Sequence, residues 1–555
     1  MIRPDQWHSA DGLVFEPNAL KAVTMLDENV VVSAGPGAGK TELLAQRADF
    51  LLRTGRCRYP RRILAVSFKT DAARNLRDRV RRRSGAQLAA RFDSFTFHAF
   101  AKRIIDNFRV ALTGYNALDP DYRIDDANPG TRIRGRQITF NDLVPLALQI
   151  VGSNPYAIGG IRQTYSHVFL DEFQDCTEQQ YQLIKAVFSN TGAMLTAVGD
   201  TKQRIMAFAG ALEGVLQTFA AEFSAQPLPL YQNFRSAPRL RRMQNRMISQ
   251  MDPGAVSPDE DLTGDKGVIE VLDFNTEHDE ASAVADLIER WLDAGTAPSE
   301  IAVLVRQQPH LVAAGLGNEL MERGVPFRNE QMNQELTAEP AAALILNFIR
   351  VIACERQPDA YAELMRIANR SGSSEDEALR FDSQLKRMIR ISRLAIRSPE
   401  FKTAELAAWR VLTEEFLQLI TQPVLTALSP AYQQGTRLED LIKQTVEAFG
   451  RELSVDADPI KSLRRLSELD AIRFLTIHKC KGLEFERVVV LGIERELFWG
   501  DPTAAMSEFF VAISRAKQHL VLTSARYREK PALASNRWDE KRTVHQTFLN
   551  FAKPN

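Results

Sequence analysis

The sequence predicts an α/β protein whose parallel sheets are covered by helices on both faces. Three observations lead there. Short, continuously apolar, β-branched runs recur along the chain, helical patterns separate them, and the first run ends in a glycine-rich loop that opens a helix. The runs are Asn29 to Ser33, Ile63 to Phe68, His167 to Leu170, Met194 to Gly199, Val268 to Leu272, Ile301 to Arg306, Arg473 to Ile477, Arg487 to Gly492 and His519 to Ser524. At about 150 residues per domain, 555 residues leave room for several cores, so the α/β pattern is expected twice over.

Composition narrows the class. With 45% hydrophobic and 25% charged residues the chain reads as globular, which excludes collagen-like and disordered classes. Seventy basic residues balance seventy acidic ones, so any polyanion site must be local rather than a global field. Cys57, Cys176, Cys354 and Cys480 are far apart and lack metal-ligand or disulfide spacing, as expected in a reducing cytoplasm. The N-terminus carries no basic-then-apolar signal, and no stretch reaches the roughly 18 apolar residues of a membrane span, so no membrane partner is expected.

Two stretches break the alternation. Ile104 to Gln137 is rich in Asp, Pro, Gly and Arg, with no clear strand, and reads as a small insertion. Cys354 to Leu466 is strongly helical in period, with segments Asp359 to Ile367, Glu375 to Leu394 and Ala404 to Ile420, and reads as a helical insertion. Gln250 to Lys266, with Pro, Gly and Asp, reads as a linker.

The chemistry begins at AGPGAGKT, which comprises Ala34, Gly35, Pro36, Gly37, Ala38, Gly39, Lys40 and Thr41. Glycines let backbone N–H groups approach phosphates, and the following helix adds its dipole. Lys40 reaches the β/γ oxygens, and Thr41 offers a hydroxyl to magnesium. HVFLDEFQD then places Asp171 and Glu172 at the end of an apolar strand. There one carboxylate can hold magnesium and the next can orient or deprotonate the attacking water. A nucleotide hydrolase using ATP and Mg2+ is expected.

Further segments follow in order: AVSFKTDAARNLRDR from Ala65, SFTFHAFA from Ser94, VGDTKQRIMAFAGA from Val198, QNFRS from Gln232, EIAVLVR from Glu300, TIHKCKGLEF from Thr476 and FFVAISRAK from Phe509. In this order the chain resembles the superfamily 1A helicases of the UvrD/Rep/PcrA family. The resemblance implies two RecA-like P-loop domains with parallel sheets, each carrying an inserted, mainly helical subdomain. The implied boundaries are residues 1–103 and 138–262 for the first domain, with insertion 104–137, and 263–353 and 467–555 for the second, with insertion 354–466. Both insertions are shorter than in the large repair helicases.

The resemblance also implies roles. Gln203 senses the γ-phosphate, while Arg235 and Arg515 reach it as arginine fingers; a planar, permanently charged fork suits that task. Glu484 contacts the ATP ribose, Phe234 stacks on the base, and Glu42 follows the loop at a nucleotide-side position. Phe68, Thr96, Phe97, His98, Phe208, Thr476 and His478 are the matching DNA positions, mixing ring faces for sequence-tolerant stacking with small polar donors. Part of the basic stretch Arg74, Arg77, Arg79, Arg81, Arg82, Arg83 and Arg91 is expected to grip phosphates.

Departures matter too. Ala19 stands where the family has an adenine-contacting glutamine, Glu42 where it has arginine, and Phe234 where it has tyrosine, which loosens base selectivity. Met206, Phe208 and Ala209 replace larger or charged DNA-side residues, so a weaker grip is expected.

Two functional readings follow. The leading one is an ATP-dependent helicase or translocase on single-stranded DNA and single/double-strand junctions, moving 3′ to 5′ by resemblance. The alternative is a DNA-stimulated ATPase that acts as sensor or regulatory subunit of a nuclease-containing, Gabija-like anti-phage complex, with the nuclease as protein partner.

Overall fold

The structure, a computed structural model, describes residues 1–120, 122–124, 133–205, 210–329, 336, 339–368, 375–429, 432, 437–466, 471–531, 534 and 538–553. Its strands are β1 Val30–Ala34, β2 Arg62–Ser67, β3 Phe92–Thr96, β4 Arg123–Ile124, β5 Gln137–Ile138, β6 Tyr165–Leu170, β7 Met194–Gly199, β8 Gln226–Leu230, β9 Val268–Thr276, β10 Ile301–Val305, β11 Phe327–Asn329, β12 Ile472–Thr476, β13 Phe485–Val490 and β14 Ala516–Tyr527. Two six-stranded sheets result, in the orders β3-β2-β6-β7-β1-β8 and β11-β12-β10-β13-β14-β9. Pairing is parallel throughout the first sheet, and in β11/β12, β13/β14 and β14/β9 of the second.

Continuous apolar runs are required because alternate residues of each central strand enter different cores. In the first sheet Val30, Val32, Ile63, Ala65 and Phe169 pack against helices Pro17–Thr24 and Lys40–Arg53. Val31, Leu64, Val66, Val168 and Leu170 pack on the opposite face against Phe97–Phe108, Leu143–Ser153 and Glu178–Phe188.

Every run expected from the sequence is a strand, but β3, β8 and β11 escape that reading, and all three lie at sheet edges. Strand β8 reads QPLPL, and Pro227 and Pro229 cannot donate to a ladder on both sides, which confines them to an edge. Strand β3 carries Asp93 and Ser94 because an edge strand need not be apolar throughout. Within the first insertion, β4 and β5 form a two-residue parallel pairing where no strand was expected.

The chain divides into two compact units: Met1–Glu280 with Leu304–Val312 and Thr476–Asn555, and Ala281–Val303 with Ala313–Leu475. The second unit is dominated by the helices Pro340–Ala353, Pro358–Ala368, Glu375–Arg397, Leu406–Ile420, Gln422–Ala427, Arg437–Asp456 and Pro459–Leu466. Their shared core begins one helix earlier than Cys354, because Ile345, Phe348, Ile349 and Ile352 of Pro340–Ala353 pack into it with Trp409, Phe416 and Phe449. Phe348 and Phe416 stack with centroids 4.0 Å apart and planes 2° from parallel, and Trp409 meets Phe449 edge-on. Among the described residues no helix is long and apolar enough to cross a membrane.

Removing the Phe416 ring from this fully buried stack leaves a cavity and no partner for Phe348. Phe416→Ala is therefore expected to destabilise the helical unit by about 3–5 kcal/mol, read as faster hydrogen exchange in Leu406–Ile420; unchanged protection there would refute the packing role.

Candidate functional site

Strand β1 is central and buried, so it delivers the loop Gly35 to Gly39 rigidly to the sheet edge where helix Lys40–Arg53 begins. Gly37 and Gly39 have φ of +74° and +77°, a region L side chains rarely adopt. Gly37 is constrained twice over: a Cβ there would sit 2.2 Å from Asn233 Oδ1 and 2.7 Å from Arg235 Cβ. The segment Gln232 to Ser236 is docked on the loop through a bond from Phe234 N–H to Gly37 O at 3.0 Å. Asn233 Oδ1 in turn accepts from the N–H groups of Arg235 and Ser236.

Lys40 Nζ donates to Ala34 O at 3.2 Å and Gly35 O at 3.3 Å. Burial pulls its pKa down, Glu172 and Asp200 oppose that, and Arg235 and Arg515 add to it. Lys40 thus shares one electrostatic neighbourhood with four of the charged groups around it. The site is dense in charge and deeply buried.

Asp171 ends β6 with its N–H on Val66 O. Burial raises its pKa, reinforced by the charge of Glu172. Its Oδ1 accepts from Glu172 N–H, while the buried Oδ2 has no hydrogen-bond partner among the described residues. An orphaned carboxylate oxygen on a residue that feels the charge of Lys40, the neighbour of Thr41 in sequence, is the donor chemistry a hard cation prefers, so the residues fit magnesium. Glu172 adopts φ +50°, which turns the chain sharply after the strand. Burial pushes its pKa up, but the positive charges of Lys40 and Lys481 outweigh that and hold it below the usual carboxylate range. Gln174 bridges the region, donating to Glu172 Oε2 at 2.6 Å and accepting from Asp200 N–H at 3.0 Å.

Gln203 donates to Asp200 Oδ2 at 2.8 Å and accepts from Arg515 Nη2 at 2.6 Å. Arg515, distant by 312 residues, is 1% exposed and held also by Val511 O, Leu483 O and Ser514 Oγ. Burial, with Arg235 adding, brings its pKa to about 10, so it stays charged at neutral pH. Arg235 Nε donates to Glu484 Oε2 at 2.7 Å and Nη1 to Ser514 O at 3.2 Å. Glu484 is held below its usual range: burial raises it, but Arg235 and Lys517 prevail.

Other expected positions fall differently. Glu42 turns away from the loop into a cluster in which Arg79 (3.0 Å), Arg83 (2.6 Å) and Gln46 (2.9 Å) bind its carboxylate. Part of the basic helix Thr70–Ala89 therefore serves that carboxylate, while Arg77, Arg81 and Arg82 are exposed. Ala19 is buried in the core. The Phe234 ring is 68% exposed and borders a cavity of about 480 Å³ with Gly35, Pro36, Tyr231, Arg241 and Asn245.

Among the DNA-side positions, Thr96 and Thr476 end strands and cap the next helix, accepting from Ala99 N–H at 3.1 Å and Lys479 N–H at 3.2 Å. In both places the following residue, Phe97 or Ile477, is buried. Phe97 is thus a correction: its ring is 2% exposed, packs in the core beneath the first sheet and has no face to offer a base. The next residue in each is histidine. His98 stacks on Phe140 at 4.0 Å, and His478 Nε2 lies 3.4 Å from Glu508 Oε1. Phe68 is half-buried at the end of β2. Met206, Phe208 and Ala209 lie outside the described residues.

Sequence reasoning missed Lys481, Asp175 and Lys69. Lys481 Nζ pairs with Asp175 and donates to Gln203 O at 2.6 Å. Both residues stand inside segments singled out above, TIHKCKGLEF and DEFQD, but nothing local links them. Lys69 donates to the carbonyls of His478 and Lys481 at 3.0 and 3.2 Å, and burial, with the like charge of Lys481, lowers its pKa to about 8.

Two family models match the chain: the UvrD/REP helicase N-terminal domain at residues 15–134 and 130–224, and the UvrD-like helicase C-terminal domain at 228–406 and 431–527. The chain is 24% identical to DNA helicase II of Escherichia coli (strain K12), over 92% of this chain and 84% of that protein. It is also 24% identical to the ATP-dependent DNA helicase PcrA of Leuconostoc citreum, over 91% and 81%, and to that of Bacillus subtilis (strain 168), over 92% and 83%.

The loop geometry makes one substitution decisive. Gly37→Ala meets both an unfavourable φ and the Asn233 side chain, and is expected to weaken ATP binding at least about tenfold in a fluorescent-nucleotide titration; wild-type affinity would refute the docking.

Proposed function

The chain belongs to the UvrD/Rep helicase family, and from that premise we propose that it hydrolyses ATP at the loop 34–41 and uses the cycle to move 3′ to 5′ along single-stranded DNA. The observation that carries the reading is the bond from the buried Arg515 to Gln203, in the same electrostatic neighbourhood as Lys40. A guanidinium far along the chain whose charge is felt at Lys40 supports the reading that it meets the end of a triphosphate bound to the loop.

The roles follow from the charges. Lys40 and the loop N–H groups bind the phosphates. Thr41 and Asp171 would hold magnesium, which when bound neutralises phosphate charge. Glu172, kept ionised, orients or deprotonates water. Arg235 and Arg515 stabilise charge on the transferred phosphoryl, a contribution of about 10³ to 10⁵ in rate for such fingers. Glu484 neutralises Arg235 in the present arrangement. A γ-phosphate competing for Arg235 would free Glu484 to meet the ribose, so binding and finger placement become one event. Opening after product release resets the site and advances the track.

Base selectivity follows from the same geometry. Ala19 is buried and Glu42 is held by arginines, so neither reads the base, while the exposed Phe234 ring offers a stacking face. Stacking accepts any purine, and a site that lacks those two specific contacts discriminates less.

Duplexes with a 3′ or a 5′ single-stranded tail, mixed with the protein, ATP and magnesium, test polarity. Release from the 3′-tailed substrate is expected; release from the 5′-tailed one alone would overturn the direction, and ATPase without release would favour the sensor-subunit reading. Lys40→Ala, Glu172→Gln and Arg515→Ala are each expected to lower kcat by about 10³ or more, and a wild-type rate in any of them would refute its role. GTP is expected to be hydrolysed within about tenfold of ATP, and strict rejection of GTP would count against the loose base site.

A further inference from the structure

Resting on the DNA-driven ATPase reading above, we propose that Lys69 is a positioning residue that couples the DNA-side end of β2 to the nucleotide site. Lys69 directly follows Phe68 and immediately precedes the basic helix Thr70–Ala89. Its ammonium does not face solvent phosphates. It donates to three carbonyls of a single turn, those of His478 at 3.0 Å, Lys481 at 3.2 Å and Lys479 at 3.5 Å. These lie at the end of the four-residue helix Ile477–Cys480, so a lysine from the bend after β2, more than 400 residues earlier, binds the last carbonyls of that helix and the residue after it.

The other side of that turn grips the chemistry. Lys481 pairs with Asp175, three residues from Glu172, and donates to Gln203 O, while the Gln203 side chain is bonded to Arg515. Its near neighbour His478 reaches Glu508. A displacement of Phe68 is therefore passed by Lys69 to a turn whose next anchor is the acidic segment carrying Glu172. The contacts are directional, charge-assisted hydrogen bonds made by one buried ammonium, so a shift on one side changes their geometry on the other.

The test compares wild type, Lys69→Met and Lys69→Arg by steady-state ATPase with and without a single-stranded oligonucleotide. In Lys69→Met, DNA-stimulated kcat is expected to fall about tenfold, while basal kcat and KM for ATP stay within about twofold; Lys69→Arg, which keeps the charge and donors, is expected to recover most of the stimulation. Stimulation equal to wild type in Lys69→Met would overturn the coupling. So would a parallel loss of basal kcat and Tm, which would mark the lysine as a plain structural staple. Failure of DNA to stimulate the wild-type protein would overturn the reading on which the coupling rests, and the coupling with it; the wild-type control separates that failure from the other two.

Discussion

Concentrated charge in a buried site is tolerable only when opposite signs lie close together, and that constraint organises the first unit. Lys40, Lys481, Arg515 and Arg235 are interleaved with Asp171, Glu172, Asp175, Asp200 and Glu484. Removing a single member would leave its partner ionised and desolvated, a costly state. The arrangement therefore rewards any ligand that brings negative oxygens to the basic side and positive charge to the carboxylates, as a nucleotide with its magnesium does.

Backbone geometry supports this charge lattice at a few points. Gly37 leaves room for Asn233, whose side chain orders the turn that aims Arg235. Glu172 turns the chain immediately after β6, so that Asp171, Glu172 and Asp175 can face different partners. Two strands that end in threonine, followed by a buried apolar residue and then histidine, repeat one local solution in two parts of the chain. The hydroxyl satisfies a helix start, the apolar residue anchors it, and the histidine is left at the rim.

The parts of this architecture that could be read in advance share a physical character. Central strands are buried on both faces, so their apolar runs stand out, and the phosphate loop announces itself through residues adjacent in sequence. Edge strands are less legible: β8 tolerates two prolines and β3 an aspartate because one side needs no ladder. Helix Pro340–Ala353 packs in the helical core although it lies before residue 354, because an apolar helix face does not by itself say which neighbours will cover it.

Side-chain destinations divide in the same way. Lys40, Asp171 and Glu172 sit on short, stiff strand-to-helix turns, and their place follows from local period and turn chemistry. Phe97 and Glu42 stand in equally suggestive stretches, yet one ring is taken by the core and one carboxylate by Arg79 and Arg83. Whether an aromatic or a charge faces a ligand or a neighbour depends on which other segment folds against it. The pairs Lys481–Asp175 and Arg515–Gln203 join residues roughly three hundred positions apart, and neither an ion pair nor a charge-assisted hydrogen bond at that separation leaves a periodicity along the chain.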